Sequence, residues 1–90
     1  MKSTIEELHA FVTIVDSGSI VMAAERLAQT TSGVSRALQR LENKLHVTLL
    51  ERTTRKLKLT QEGQLFLDRA RKILNDLTEV PESIQAQLAV

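Results

Sequence analysis

The chain has 90 residues, of which 42% are hydrophobic, and a formal net charge of +1 at pH 7, which predicts one small domain whose single core folds with a modest margin of stability. The sequence contains no cysteine, which excludes a disulfide framework and a thiolate metal site, and its two histidines, His9 and His46, lie far apart, so we expect neither a metal nor a cofactor. No basic segment precedes a long apolar run, and no stretch approaches the roughly 20 apolar residues of a membrane span, so we expect a cytoplasmic protein without a membrane partner.

The positive charge is concentrated in the middle third of the sequence. Residues 31–60 carry seven Lys and Arg against two Glu, a net charge of +5, whereas residues 1–30 and 61–90 each carry a net charge of −2. Such a segment is either a solvated surface or the electrostatic footprint of a polyanionic partner. Charge alone leaves both alternatives open.

The sequence begins with a predicted helix. Apolar residues recur at helical spacing from Ile5 to Val15, with Ser3 or Thr4 as the expected N-cap and a stop at Gly18. This helix has the character of a scaffold element, because no acid, base or nucleophile clusters on it in a recognisable catalytic arrangement.

A second, short helix is predicted from its N-cap Ser19 through Ala28. Ala23 and Ala24 are small enough for another helix backbone to approach closely, and a polar connection over residues 29–31 leads into a third helix. Two short helices joined by such a turn form a helix-turn-helix motif, whose second helix enters the major groove of DNA. A plain helical hairpin is the alternative, and it differs only in what faces outward.

The third helix, from Thr30 or Thr31 to Leu45, has two distinct faces. At 100° per residue, the apolar side chains fall on one side, and side chains that bond base edges and phosphates fall on the other. An ordinary amphipathic surface helix is the alternative interpretation. The apolar face comprises Val34, Ala37, Leu38, Leu41 and Leu45, and the polar face comprises Ser32, Arg36, Gln39, Arg40 and Asn43.

The basic segment after this helix predicts a β-hairpin. His46 is expected to end the helix, because histidine adopts the left-handed conformation more readily than most residues other than glycine. Two short β-prone runs, residues 47–52 and 57–60, flank a tip at residues 53–56. A hairpin directly after a helix-turn-helix forms a wing, and an arginine at its tip can enter a narrow minor groove. A solubilising charged turn is the alternative.

Thr60 is the expected cap of a final long helix. Its apolar residues alternate spacings of four and three, a heptad pattern longer than one small domain requires, which predicts a partner helix. Pro81 interrupts the pattern, so we expect a kink or break near residues 79–81, and residues 83–90 either form a separate turn or fray. The predicted seam comprises Phe66, Ala70, Ile73, Leu77, Val80 and Ile84.

Five short motifs follow one another in the sequence, within a match that covers roughly residues 3–90: Ala23-Ala24-x-x-Leu27, Val34-Ser35-Arg36, Leu41-Glu42-x-x-Leu45, Leu49-Leu50-Glu51-Arg52-Thr53-Thr54-Arg55 and Leu59-Thr60-x-x-Gly63. Together they resemble the signature of the DNA-binding domain of LysR-type bacterial transcriptional regulators. The resemblance implies a mainly α fold. A winged helix-turn-helix of three helices and a short β-hairpin wing occupies residues 1–60, and a long linker helix for dimerisation occupies residues 61–90. An effector-binding domain normally follows in this family, and we expect it to be absent here.

The resemblance also implies sequence-specific binding of double-stranded DNA by a dimer, with no enzymatic activity and no cofactor. The helix of about residues 31–45 would lie in the major groove and Arg55 in the minor groove. The implied partners are a pseudo-palindromic operator and a second copy of the chain bound through the linker-helix seam, with a tetramer left open for the full-length protein. The implied DNA-binding residues are Ser19, Thr31, Ser32, Ser35, Arg36, Gln39, Arg40, Arg55 and Lys56.

Two other classes of function remain as alternatives. An RNA-binding module would need aromatic platforms for splayed bases, but Phe11 and Phe66 are the two aromatic residues and both lie on apolar helix faces. A purely structural dimerisation domain would need no basic wing.

Gly33, His46 and Leu50 depart from the residues usual in the family, and each is expected to lower stability a little.

Overall fold

Four helices and one antiparallel hairpin occupy the described part of the chain. The structure is a computed structural model that describes residues 5–52 and 56–78. This mainly helical arrangement with a small wing-like hairpin confirms the predicted fold class. In chain order the elements are α1 (Ile5–Ser17), α2 (Ile20–Leu27), α3 (Thr31–Leu45), β1 (Leu50–Arg52), β2 (Leu57–Leu59) and α4 (Gln61–Thr78).

Some predictions fall on residues outside the described ranges. These are the caps proposed for the first helix, the wing tip at Arg55, and the course of the chain from residue 79 onward, with Val80, Pro81 and Ile84. The division into a winged domain over residues 1–60 and a linker helix over residues 61–90 stays a prediction as well.

The core forms where α1, α2 and α3 pack together. Phe11 of α1 and Leu38 and Leu41 of α3 are among the largest fully buried side chains, and burying each such side chain stabilises the fold by about 1.5–3 kcal/mol. The short helix α2 contributes Ala23 and Ala24, both buried. Because these side chains are small, α2 packs closely against α1 and α3.

Hydroxyl groups cap the N-termini of both helices of the helix-turn-helix. The Ser19 hydroxyl accepts the N–H of Met22 at 3.0 Å, and the Thr30 hydroxyl accepts the N–H of Gly33 at 3.0 Å. Each bond satisfies one of the amides that have no partner in the first turn of a helix. Ser19 is thus confirmed as a cap, and the cap of α3 is Thr30, which leaves the side chain of Thr31 available on the first turn.

Left-handed residues end α2 and α3. His46 follows α3 with a φ of 57°, as predicted, and Ala28 follows α2 with a φ of 54°. The N–H of Gln29 donates to the carbonyl of Ala24 at 2.9 Å, which closes α2 in the manner of a Schellman motif. The helix therefore ends at Leu27, one residue earlier than predicted, because Ala28 turns the chain toward α3.

A single carboxylate joins α3 to the hairpin. Glu42 accepts the N–H of Leu49 at 2.7 Å and the N–H of Leu50 at 3.2 Å, while the side chains of both leucines are buried in the core. The predicted strand from Val47 is wrong at its start. The strand begins at Leu50, because the N–H of Val47 still donates to the Glu42 carbonyl in the turn that ends α3, at 3.3 Å.

Thr60 and Gly63 hold the start of α4 against the hairpin. The Thr60 hydroxyl accepts the N–H of Gly63 at 2.9 Å, which confirms the predicted cap, and the Thr60 N–H donates to the Leu49 carbonyl at 3.0 Å. A Cβ atom on Gly63 would overlap the Leu49 carbonyl oxygen and lie 2.9 Å from Leu59 Cδ1. Only glycine permits this approach.

The first half of α4 packs on α1. The ring centroids of Phe66 and Phe11 are 5.8 Å apart, and Ala70 is fully buried. Arg71 donates to both carboxylate oxygens of Asp16 at 2.6 and 3.1 Å, and this hydrogen bond is the main reason that the pKa of Arg71 is raised above its ordinary value. Phe66 and Ala70 were predicted to line a partner surface, but here they pack inside their own chain.

Candidate nucleic-acid interface

The outward side of α3 presents a row of exposed polar side chains, Ser32, Arg36, Gln39 and Asn43, which we call the reading ridge. They are spaced three or four residues apart, so they lie on one face, opposite the fully buried Leu38. Hydroxyl, guanidinium and amide groups together offer the donors and acceptors that recognise base edges. Asn43 was predicted to lie on this face but was not assigned a role in binding. It belongs to the reading ridge because it is exposed and follows Gln39 by four residues, about one helical turn.

Hydroxyl groups flank the reading ridge on the side of α2. Thr31 is exposed on the first turn of α3 and Ser35 is half-buried one turn later, while Ser19 caps α2 directly before Ile20. The N-terminal turn of α3 carries partial positive charge from its amides, so a phosphate beside these hydroxyls is favoured. A shallow groove between the starts of α2 and α3 is lined by Ile20, Thr31, Ser32, Ser35 and Arg36.

The other flank of the reading ridge is bound to α1. Arg40 Nε lies 3.4 Å from Glu7 Oε2, and Lys44 Nζ lies 2.9 and 3.0 Å from the two Glu7 carboxylate oxygens. Arg40, a predicted DNA-binding residue, is therefore engaged within the chain, although its side chain remains 56% exposed. Sequence reasoning missed the part played by Glu7 and Lys44, because 37 residues separate them and helical spacing gives no sign of the contact.

Basic side chains also lie on the hairpin. Arg52 ends β1, Lys56 directly precedes β2, and Lys58 is the middle residue of β2; all three are exposed. Lys58 is opposite Glu51 in the strand register, so the hairpin keeps an excess of positive charge. The predicted wing-tip residue Arg55 lies outside the described ranges.

Exposed apolar side chains mark the second half of α4. Ile73 is 45% exposed and Leu77 is 48% exposed, and their spacing of one helical turn puts them on one stripe. Both belong to the predicted seam. Leu65, which was not predicted to be part of it, is 66% exposed. Apolar surface of this kind suits contact with another helix.

Other kinds of site receive no support from residues 5–52 and 56–78. Within these ranges, no three His, Asp or Glu side chains lie close enough together to hold a metal ion. None of the helices there is long and apolar enough to cross a membrane. Both histidines are exposed.

Curated relatives of the chain are transcriptional regulators by name. The HTH-type transcriptional regulator CrgA of Neisseria meningitidis serogroup B is 53% identical over 77 residues, which cover 86% of this chain and 26% of CrgA. The chain thus spans about a quarter of the length of the curated relatives that it matches.

Solved structures and a family model match the same architecture. The DNA-binding domain of BenM, crystallised with catB site 1 DNA, has a TM-score of 0.86 and 34% identity, and the match covers 96% of each chain. The CbnR DNA-binding domain in its DNA complex has a TM-score of 0.83 and 32% identity, and the match covers 96% of this chain and 97% of that one. The family model described as "Bacterial regulatory helix-turn-helix protein, lysR family" matches residues 5–64, which include α1 to α3, the hairpin and the start of α4. The chain therefore belongs to the LysR family of bacterial regulatory helix-turn-helix proteins.

Proposed function

We propose that this chain binds double-stranded DNA sequence-specifically, as the DNA-binding part of a transcriptional regulator. The reading ridge carries the proposal, because it exposes Ser32, Arg36 and Gln39 on a helix whose other face is locked in the core. Similarity to domains solved with DNA supports it over nearly the whole chain. Relatives named as transcriptional regulators favour a regulatory role over an enzymatic one.

In the proposed complex, α3 lies in the major groove with its first turns foremost. Arg36 and Gln39 reach base edges, since a guanidinium bonds guanine and a side-chain amide bonds adenine in pairs of hydrogen bonds. Ser32 adds a third contact on the same ridge. The hydroxyls of Thr31, Ser35 and Ser19, together with Arg40, bond the phosphates that set the register of the helix in the groove.

The hairpin is the proposed wing. Arg55 at its tip enters the adjacent minor groove, where a narrow A·T-rich segment concentrates negative potential. Lys56 lies next to it in sequence and is exposed, so it assists by contacting the phosphate backbone. Base reading by α3 and shape reading by the wing would then act on neighbouring stretches of one half-site.

Dimerisation through the C-terminal helix completes the proposal. Since Phe66 and Ala70 pack within the chain, the proposed dimer surface is narrowed to the later part of the seam. A two-fold pair would present two α3 helices to half-sites about one helical turn apart, which matches a pseudo-palindromic operator. The narrowed surface comprises Ile73 and Leu77 of α4, followed by Val80 and Ile84.

Competition binding tests the proposed function directly. A labelled duplex enriched from a random library by this chain is challenged with unlabelled duplex, single-stranded DNA and RNA. We expect efficient competition by duplex alone, because no aromatic platform on the described surface stacks unpaired bases. Equal or better competition by RNA would replace the proposal with an RNA-binding function.

A reading-ridge variant shows whether the proposed surface is the one used. The combined change Ser32→Ala, Arg36→Ala and Gln39→Ala should abolish specific binding while leaving the thermal unfolding transition cooperative, since all three side chains are exposed. Lys72→Ala is the matched control, because it removes one exposed positive charge from α4. The proposal fails if both proteins bind like the parent.

A further inference from the structure

Glu7 is a buried carboxylate of α1 that binds two basic side chains of α3. It is only 2% exposed. Lys44 Nζ lies 2.9 Å from one of its oxygens and 3.0 Å from the other, whereas Arg40 Nε lies 3.4 Å from Oε2. The proposed DNA complex uses neither Glu7 nor Lys44, although both lie beside the reading ridge.

Arg40 and Lys44 are not equivalent partners of this carboxylate. Lys44 bonds both oxygens, and its side chain is only 32% exposed, whereas Arg40 makes one long bond and is 56% exposed. A carboxylate in the interior must keep a counter-charge, because leaving it unpaired is strongly destabilising. Lys44 meets that need, and exposed ion pairs are weak. Arg40 is therefore the partner that can leave.

Arg40 is also the partner that a phosphate can reach. It follows Arg36 by one helical turn, so its guanidinium lies at the border between the reading ridge and the flank that faces α1. With Glu6, Gln29, Gly33, Arg36 and Ala37 it lines a groove between α1 and α3. A phosphate placed beside the ridge would compete with Glu7 for the same guanidinium, and charge-assisted bonds of guanidinium to phosphate are strong.

We propose that Glu7 is a positioning residue for DNA binding: it holds Arg40 in the free chain and releases it to a DNA phosphate in the complex, while Lys44 stays on Glu7 as its permanent counter-ion. This inference rests on the DNA-binding function proposed above. It assigns Lys44 a role in DNA affinity without contact to DNA, because Lys44 keeps Arg40 available. It also means that Glu7 lowers the affinity for any duplex, whatever its sequence.

The test measures binding of the 90-residue chain to a random-sequence duplex by fluorescence anisotropy. Glu7→Gln keeps the shape of the side chain and removes the competition, so it should tighten binding by about two- to fivefold. Lys44→Met leaves Arg40 as the principal counter-ion of Glu7 and should weaken binding. Adding Glu7→Gln to Lys44→Met should restore at least the parental affinity, since no buried charge then holds Arg40.

The variant Arg40→Gln distinguishes transfer of Arg40 from Glu7 to DNA from the general effect of removing a negative charge near DNA. In that background Glu7→Gln should give little or no gain, because no guanidinium remains to be released. Glu6→Gln is the matched control: it removes the same charge from the neighbouring exposed position of α1, and any gain should persist in the Arg40→Gln background. Thermal unfolding confirms that each variant is folded. If Glu7→Gln does not fold, Glu7→Met combined with Lys44→Met takes its place, because exchanging a buried ion pair for apolar side chains of similar size preserves stability, and this pair should bind at least as tightly as the parent.

Two results would overturn the exchange. One is a gain from Glu7→Gln that persists in full without Arg40. The other is a loss from Lys44→Met that persists when Glu7→Gln is added, which would mean that Lys44 contacts DNA itself. If the parent chain binds no duplex at all, the proposed function fails instead, so the two failures are distinguishable.

Discussion

The Glu42 carboxylate and the Leu49 amide, 2.7 Å apart, connect the reading helix to the hairpin. Glu42 belongs to the last turns of α3, and Leu49 belongs to the core and precedes β1. The same carboxylate bonds the Leu50 amide. The position of the hairpin relative to α3 therefore depends on a side chain that is not part of the reading ridge.

We expect Glu42→Ala to lower the free energy of unfolding by about 2–4 kcal/mol, because two amides next to the core lose a charged acceptor. Urea unfolding followed by circular dichroism measures the change. Glu25→Ala, at an exposed position of α2, is the control and should change stability by no more than about 0.5 kcal/mol. Equal effects of the two changes would contradict the structural role of Glu42.

Gly63→Ala should destabilise the chain by about 1–3 kcal/mol, since the added methyl group overlaps the Leu49 carbonyl and forces α4 away from the hairpin. Helix propensity alone predicts the opposite sign, because alanine is favoured over glycine inside a helix by about 1 kcal/mol. Thermal unfolding decides between the two. Gln64→Ala, at the next and exposed position, provides the comparison, and a Gly63→Ala variant that melts higher than the parent would refute the close approach.

Affinity for duplex DNA should fall steeply with added salt. Several Lys and Arg side chains of each subunit displace condensed counterions, so the slope of log affinity against log salt should be several units negative for a dimer. Anisotropy titrations over a range of potassium chloride concentrations give this slope. An affinity that does not change with salt would rule out docking of the basic segment in the grooves.

Arg36 and Arg55 should affect specificity in different ways. Arg36→Ala should weaken binding to the preferred site by about 1–3 kcal/mol and relax discrimination at one or two major-groove positions. Arg55→Ala should instead reduce the preference for A·T-rich flanks. Selection from a random library with each variant compares the two, with Arg69→Ala on α4 as a control for charge. The site assignment is wrong if both variants select the same sequences as the parent.

A charge in the exposed seam should separate the subunits. Ile73→Lys or Leu77→Lys alters side chains that are about half exposed, so the winged domain should stay folded while the chain becomes monomeric. Operator binding should weaken by orders of magnitude, because the second α3 then no longer binds at high effective concentration. Sedimentation equilibrium and half-site titration measure both effects, with Lys72→Glu as a control on the same helix. A parent chain that is monomeric at concentrations where it binds tightly would exclude the seam from the mechanism.

Local rules predicted three of the helix caps correctly. Ser19, Thr60 and His46 occupy the caps that sequence indicated, since capping depends on the residue itself and its near neighbours. Helical periodicity likewise predicted which face of α3 is buried, because one buried stripe suffices to orient a helix.

Contacts between distant residues escaped prediction. The strand was expected from Val47 because its residues favour β structure, but no pattern indicated that the amide of Leu49 bonds Glu42. Heptad spacing assigned Ala70 to a partner surface, yet Ala70 is fully buried in the core of its own chain. Periodicity reports that a face is apolar and does not report what packs on it. The ion pairs of Glu7 have no signal in its neighbouring residues, since its partners Arg40 and Lys44 are on α3.

Ala28 and His46, neither of them glycine, occupy left-handed backbone positions at the ends of α2 and α3. Each conformation is strained by about 1 kcal/mol relative to what glycine would experience, and part of that strain is released whenever glycine arises there. Substitution to glycine at either of these two turns, both outside the reading ridge, would therefore stabilise the fold. Substitutions on the ridge that change base preference but weaken the fold can be compensated at these turns. A lineage could therefore acquire a new operator preference without losing its ability to fold.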